Sequence, residues 1–215
     1  MINCGIIGFG KMGKIRAKAI EASGHGQVVA IHDPNQPVDS PYPVVPDAAD
    51  IVNDPEINAV FICPPNHLIP PLVIAALRAG KHVFAEKPPG FTAADVKQIQ
   101  AAERESGCQC MFGFNHRHHA SIQKMKAMIE ARELGQILWM RGRYGKEVDE
   151  RFFAGWRADP LQAGGGILLD QGIHMLDLFI YLAGPFDEFQ ALISNLFWKI
   201  ENLEDNAFIQ MRQHE

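Results

Sequence analysis

The chain has 215 residues, 47% of them apolar, and a formal net charge of −5 spread over scattered acids and bases. That length suits one large domain or two small ones, and the apolar share excludes a disordered chain. No basic tract points to nucleic acid, no Lys/Arg-rich amphipathic helix points to a membrane surface, and no apolar run reaches the length needed to span a bilayer.

The chain opens directly on an apolar run, Ile2 to Ile7, without the charged and apolar regions of a signal peptide. Gly8-Phe9-Gly10-Lys11-Met12-Gly13 follows, and a helical pattern runs from Met12 to Ala22. A strand, a GxGxxG and a helix in that order have a mechanism. Gly8 lets the chain turn off the strand, Gly10 leaves the backbone open to a pyrophosphate, and Gly13 lets the helix pack closely on the strand. The N–H groups of the helix start then face the phosphates with a partial positive charge. Gln27 to His32 reads as a second strand, ended by Asp33, 20 residues past Gly13. A carboxylate there can accept hydrogen bonds from an adenosine ribose. Pro34 to Ser40 holds no Arg or Lys to neutralise a 2′-phosphate, so the expected cofactor is NAD rather than NADP.

Strands and helices continue to alternate. A Pro-rich loop, Pro34 to Pro46, holds a short strand near Tyr42–Val45, and a short helix from Asp47 is closed by Asp54-Pro55. Ala59 to Ile62 is a buried strand ended by Cys63-Pro64-Pro65, and Pro71 to Ala79 is a helix with Gly80 at its end. Val83 to Ala85 is a strand that runs into Glu86-Lys87-Pro88-Pro89, where the prolines force the chain out of the sheet. Thr92 caps a helix from Ala93 to about Glu105, Gly107 stops it, and Gln109 to Gly113 is another strand. This alternation predicts a parallel sheet covered on both faces. The four cysteines, Cys4, Cys63, Cys108 and Cys110, have no disulfide-framework spacing and read as reduced thiols of a cytoplasmic protein.

The pattern changes near Phe114. His118 to Glu133 is a helix with Ile122, Met125 and Ile129 on one face, and Ile137 to Tyr144 alternates like a half-buried strand. Phe186 to Trp198 reads as a long strand with Phe189, Ala191, Ile193 and Phe197 on one side, and Ala207, Ile209 and Met211 alternate again. Such strands suggest a largely antiparallel sheet in a second domain. His116, His118 and His119 cluster at a polar junction that reads as solvated surface. Gly164-Gly165-Gly166 opens a helix to about Leu182, on which Asp170, His174 and Asp177 fall on one stripe between two apolar ones. A narrow polar stripe in an apolar helix lines a pocket, or it is a buried Asp–His pair that satisfies itself. No third ligand has metal-site spacing, so no metal is assigned.

Gly8 to Gly13, Ala79-Gly-Lys-His-Val-Phe-Ala-Glu86-Lys87-Pro88 and Gly165-Gly-Ile-Leu-Leu-Asp170-Gln-Gly-Ile-His174 together resemble the Gfo/Idh/MocA oxidoreductase family along essentially the whole chain. The resemblance implies an α/β fold. An N-terminal Rossmann doubly wound parallel sheet (1–114) would bind NAD, and a C-terminal α+β domain (115–215) with an open, largely antiparallel sheet would serve substrate and oligomerisation. It assigns Lys87, Asp170 and His174 to the catalytic centre. Cofactor contacts would come from Gly8, Phe9, Gly10, Lys11, Met12, Gly13, Asp33, Cys63, Pro64, Asn66, His67, Glu86 and Lys87. Ile69 stands where members often carry a further histidine. Members usually continue past the position of Glu215, so the second domain is expected to be incomplete and prone to self-association. The implied activity is hydride transfer between nicotinamide and a sugar, cyclic polyol or related hydroxy compound. The alternatives are a dinucleotide-binding protein without net turnover and an NAD-assisted glycoside-cleaving or epimerising enzyme.

Overall fold

The structure is a computed structural model that describes residues 1–35 and 40–213. The cation-free stretch expected after Asp33 lies partly in residues 36–39, outside the described residues. The chain divides into two compact units, Met1–Gly113 and a second from Phe114 onward.

In the first unit, strands β1 (Ile2–Ile7), β2 (Gly26–His32), β3 (Ala59–Ile62), β4 (His82–Ala85) and β5 (Cys110–Phe112) form one sheet in the order β2-β1-β3-β4-β5. Every pairing is parallel. Helices α1 (Lys11–Ser23), α2 (Ala48–Asn53), α3 (Ile69–Arg78) and α4 (Ala93–Ser106) connect the strands. Ile6, Ile31, Val60 and Ile62 are fully buried in the strands, as are Val73 and Leu77 on α3. Burying each such side chain stabilises the unit by about 1.5–3 kcal/mol, which is why these strands read as near-continuous apolar runs. The expected strand at Tyr42–Val45 is a single parallel bridge, Ile31 to Val44. Thr92 caps α4 as anticipated, in a reciprocal box with Asp95, and Gly107 ends it at φ 68°.

The second unit holds α5 (Ala120–Glu130), two one-turn helices α6 (Glu150–Phe153) and α7 (Pro160–Ala163), and α8 (Ile173–Ala183). An antiparallel ribbon of β6 (Glu188–Ser194) and β7 (Asn206–Arg212) completes it. Two expectations fail here. Ile137 to Tyr144 is not a strand, because alternation supplies no ladder partner: among the described residues no strand pairs with it, and Leu138 and Trp139 stand out in solvent. The strand expected over Phe186 to Trp198 is cut short at Ser194. The Asp205 carboxylate accepts the N–H groups of Leu196, Phe197 and Trp198 at 2.9, 2.5 and 2.6 Å and turns the chain. Burial works against the charge on Asp205, but those donors and the Asn206 amide outweigh it and hold the carboxyl down to about 2.

The stretch Pro160–Ala183 passes, by length and a mean hydropathy of 1.3, as a bilayer-spanning helix, contrary to the reading of the sequence. Leu and Ile raise its hydropathy although Asp170 and Asp177 lie within it; both carboxylates are paired to cations of the same unit.

Candidate active site

The glycine turn lies where the sheet order reverses, between β1 and β3, at the carboxyl ends of the strands. Open α/β sheets bind ligands at that place. Gly8 has φ 88°, and a Cβ there would meet the Cys63 carbonyl carbon at 2.6 Å and Pro64 N at 2.7 Å. A Cβ on Gly13 would collide with the Gly8 carbonyl oxygen, whereas one on Gly10 would meet only open space. Gly10 also begins α1 without a side-chain cap, and the first turn of α1 carries no acid. The helix start therefore presents uncapped N–H groups to a space that one side chain would fill.

Asp33 is fixed beside this turn: its Oδ2 accepts Phe9 N–H at 2.7 Å and its Oδ1 accepts Asn35 N–H at 2.9 Å. The Phe9 ring is core, packed edge-on against Tyr42, so Phe9 has only backbone to offer a ligand. Lys11 is exposed and Met12 half-buried. Cys63 and Pro64 follow β3 directly, with Cys63 N–H donating to Ile7 O at 2.7 Å. Burial and then the Glu86 charge push the Cys63 thiol up to about 12, against the weaker pull of Arg16. Asn66 is buried at the start of a 3-10 turn, and the half-buried His67 keeps Nδ1 buried without a hydrogen-bond partner among the described residues.

Glu86 and Lys87 follow β4. The Glu86 carboxylate is taken by Arg16, with Nε donating at 2.8 Å and the second guanidine nitrogen 2.6 Å away. Arg16 lies 4.6 Å over the Phe84 ring, so Glu86 ties α1 to the end of β4. The resemblance gives Glu86 to the cofactor; in the structure its carboxylate is held by Arg16, 70 positions away. Lys87 is half-buried beside the fully buried Pro88, and the bond between them is cis.

In the second unit the polar stripe is buried as predicted: Asp170, His174 and Asp177 are 8%, 6% and 8% exposed. A π-helical turn, Leu168–Gly172, carries Asp170 into α8. Asp170 Oδ2 accepts Lys146 Nζ at 2.8 Å, and Arg157 Nε lies 3.4 Å from Oδ1. Asp177 accepts a two-pronged bond from Arg117. The His174 ring stacks on His116 with centroids 4.2 Å apart and planes 17° apart, and the Tyr144 ring lies beside both, 5.7 Å from His116 and 6.4 Å from His174. His116 thus departs from the surface reading of its cluster, while His118 and His119 are exposed. Lys146, Phe152, Trp156 and Arg157 line an open cleft of about 470 Å³ next to Asp170.

A Cβ on Gly166 would strike the backbone of Glu204, and the Glu204 carboxylate accepts Gly166 and Leu168 N–H, each at 2.9 Å. The close approach that Gly166 permits is to this segment of the chain's own backbone. Spacing could not reveal Lys146, Arg157 or Arg117. The one available signal was charge: two carboxylates on an apolar helix need cations when buried, without naming which.

Residues 2–114 match the model of the oxidoreductase family with an NAD-binding Rossmann fold, and residues 122–214 match the Gfo/Idh/MocA C-terminal domain. Levoglucosan dehydrogenase of Pseudarthrobacter phenanthrenivorans is 35% identical over 150 residues, covering 69% of this chain and 38% of that protein. Myo-inositol 2-dehydrogenase of Thermotoga maritima is 29% identical over 190 residues, covering 84% and 54%. A solved levoglucosan dehydrogenase in complex with NADH and levoglucosan superposes with a TM-score of 0.89 at 28% identity, over 99% of this chain and 64% of that one. The chain thus spans about half the length of the curated relatives it matches. Matches over both units, in the order in which they occur here, establish that the chain belongs to the Gfo/Idh/MocA oxidoreductase family.

Proposed function

We propose that this chain is the catalytic part of an NAD-dependent dehydrogenase acting on a secondary hydroxyl of a sugar or cyclic polyol. The observation that carries the cofactor reading is the glycine turn: a left-handed Gly8 that no other residue could replace without strain, an open Gly10 and a tightly packed Gly13 beside a fixed Asp33. Gly10 and the start of α1 would hold the pyrophosphate, Asp33 the adenosine ribose, and Cys63, Pro64, Asn66 and His67 the flank of the groove. NAD, when bound, supplies the hydride acceptor. His174 takes the hydroxyl proton as general base and returns it in the reverse direction. Lys87 donates a hydrogen bond to the same oxygen and offsets its developing negative charge. Asp170, shared by Lys146 and Arg157, orients the substrate or the imidazole. The named relatives, dehydrogenases of levoglucosan and inositols, support the substrate class. The chain is further proposed to self-associate through the β6–β7 ribbon.

The test is NADH absorbance over a panel of sugars, inositols and sugar acids, followed by variants on whichever substrate turns over. His174→Ala and Lys87→Met should each lower kcat by about 10² or more, with NAD binding little changed, since neither touches the glycine turn. Wild-type kcat in His174→Ala would end the general-base assignment. NAD binding without net NADH formation on any substrate would favour a binding protein.

A further inference from the structure

We infer that the Arg117–Asp177 ion pair is a positioning device for His174: it fixes the turn whose His116 ring forms the wall against which the imidazole stacks. This rests on His174 being the base. Asp177 lies three residues past His174 on α8 and is buried. Arg117 grips it with both prongs, Nε to Oδ2 at 2.8 Å and the terminal nitrogen to Oδ1 at 2.5 Å. A bidentate guanidinium–carboxylate pair fixes direction as well as distance. The guanidinium lies over the Tyr181 ring at 5.1 Å, and the Gln123 amide donates to both Arg117 O, at 2.5 Å, and the Tyr181 hydroxyl, at 3.1 Å. The 3-10 turn Asn115–His118 is therefore pinned to α8 from two sides.

What that pinning fixes is residue 116. The His116 and His174 rings are nearly parallel at 4.2 Å. In a face-to-face stack the ring N–H groups point along the planes, so the contact between the two imidazoles is one of ring faces. His116 acts as a flat wall that restricts rotation of the His174 ring, and Tyr144 flanks both rings at 5.7 and 6.4 Å. A base whose ring is free to rotate spends part of its time out of line with the proton it must take, and misplacement on the ångström scale is costly in rate.

The experiment uses the full chain. Ring carbon and proton NMR signals of His174, assigned by their loss in His174→Ala, are followed in Arg117→Met/Asp177→Leu, which removes both charges and strands neither. The expected result is a shifted and broadened His174 signal with a cooperative melt retained. His116→Ala should reproduce the change, and His116→Phe, which restores a flat ring, should lie closer to wild type. On a verified substrate the double variant should lose about tenfold in kcat with the NAD KM unchanged. His174 signals that match wild type in both the double variant and His116→Ala would overturn the proposal. The ring signals need no turnover. If they move as expected while His174→Ala keeps wild-type kcat, the positioning stands and the general-base assignment fails.

Discussion

The Asp33 carboxylate has both oxygens engaged by backbone N–H groups, Phe9 on one side and Asn35 on the other, so it cannot swing away from an incoming ribose. A 2′-phosphate brought to about 4 Å would feel a repulsion on the order of 4 kcal/mol per unit charge at an effective dielectric of about 20, while two ribose hydroxyls would donate to the same oxygens. Wild type should therefore bind NAD more tightly than NADP. Asp33→Ala combined with Asn35→Arg should reverse the ratio, although overall affinity should fall because Phe9 N–H loses its acceptor, worth about 1 kcal/mol. Calorimetric titration with both dinucleotides decides it; equal affinities in wild type would sink the argument. Asp33 was legible in the sequence for the same reason that Gly8, Gly10 and Gly13 were. Each answers a local demand of a strand–turn–helix unit. Glu86 shows the limit: its partner Arg16 lies on another element, and nothing in the spacing of the Glu86-Lys87-Pro88 motif announces that pair.

At the level of elements, the helix bearing Asp170 and His174 depends on Glu204. Its carboxylate takes two of the N–H groups at the start of the π-helical turn, and its carbonyl takes a third from Ile167 at 2.8 Å. This is an N-cap supplied from a distant segment. Glu204→Ala should lower the stability of the second unit by about 1–2 kcal/mol, as cap losses do, and Glu204→Gln by less, read as a shift in the urea midpoint at unchanged slope. An unchanged midpoint in the Ala variant would mean that the glycine run holds the turn without its cap. Helix α8 was legible because its apolar stripes repeat at helical spacing; its cap was not, because Glu204 follows it by dozens of residues. Strands divided along the same line. β1 to β5 are apolar runs that find partners within the first unit. Ile137 to Tyr144 has the alternation but no paired neighbour among the described residues, and alternation without a partner gives no ladder.

For the molecule as a whole the governing feature is the β6–β7 ribbon. Cross-strand pairs Phe189 with Met211, Ala191 with Ile209 and Ile193 with Ala207 make one face of it entirely apolar. Phe189 is 81% and Ile193 62% exposed. The other face is largely polar, with Leu192 opposite Phe208. A two-stranded ribbon is marginal by itself, and its edges present unpaired N–H and C=O groups. Covering the apolar face removes large side chains from water at about 25 cal/mol per Å². A second copy of the same ribbon offers a complementary face, and an isologous pairing closes without exposing a new one. The chain should therefore self-associate at micromolar concentration, with a sedimentation coefficient that rises with loading. Phe189→Lys with Ile193→Glu should abolish that rise and leave the first unit, and with it NAD affinity, unaffected. Salt separates the mechanism from a charge-driven one: apolar association should hold or strengthen as sodium chloride is raised, whereas ion-pair association should weaken. A wild-type chain that remains a compact monomer across the concentration range, with a single cooperative melt, would mean that the ribbon tolerates its exposed face, and the proposal of self-association through it would fall.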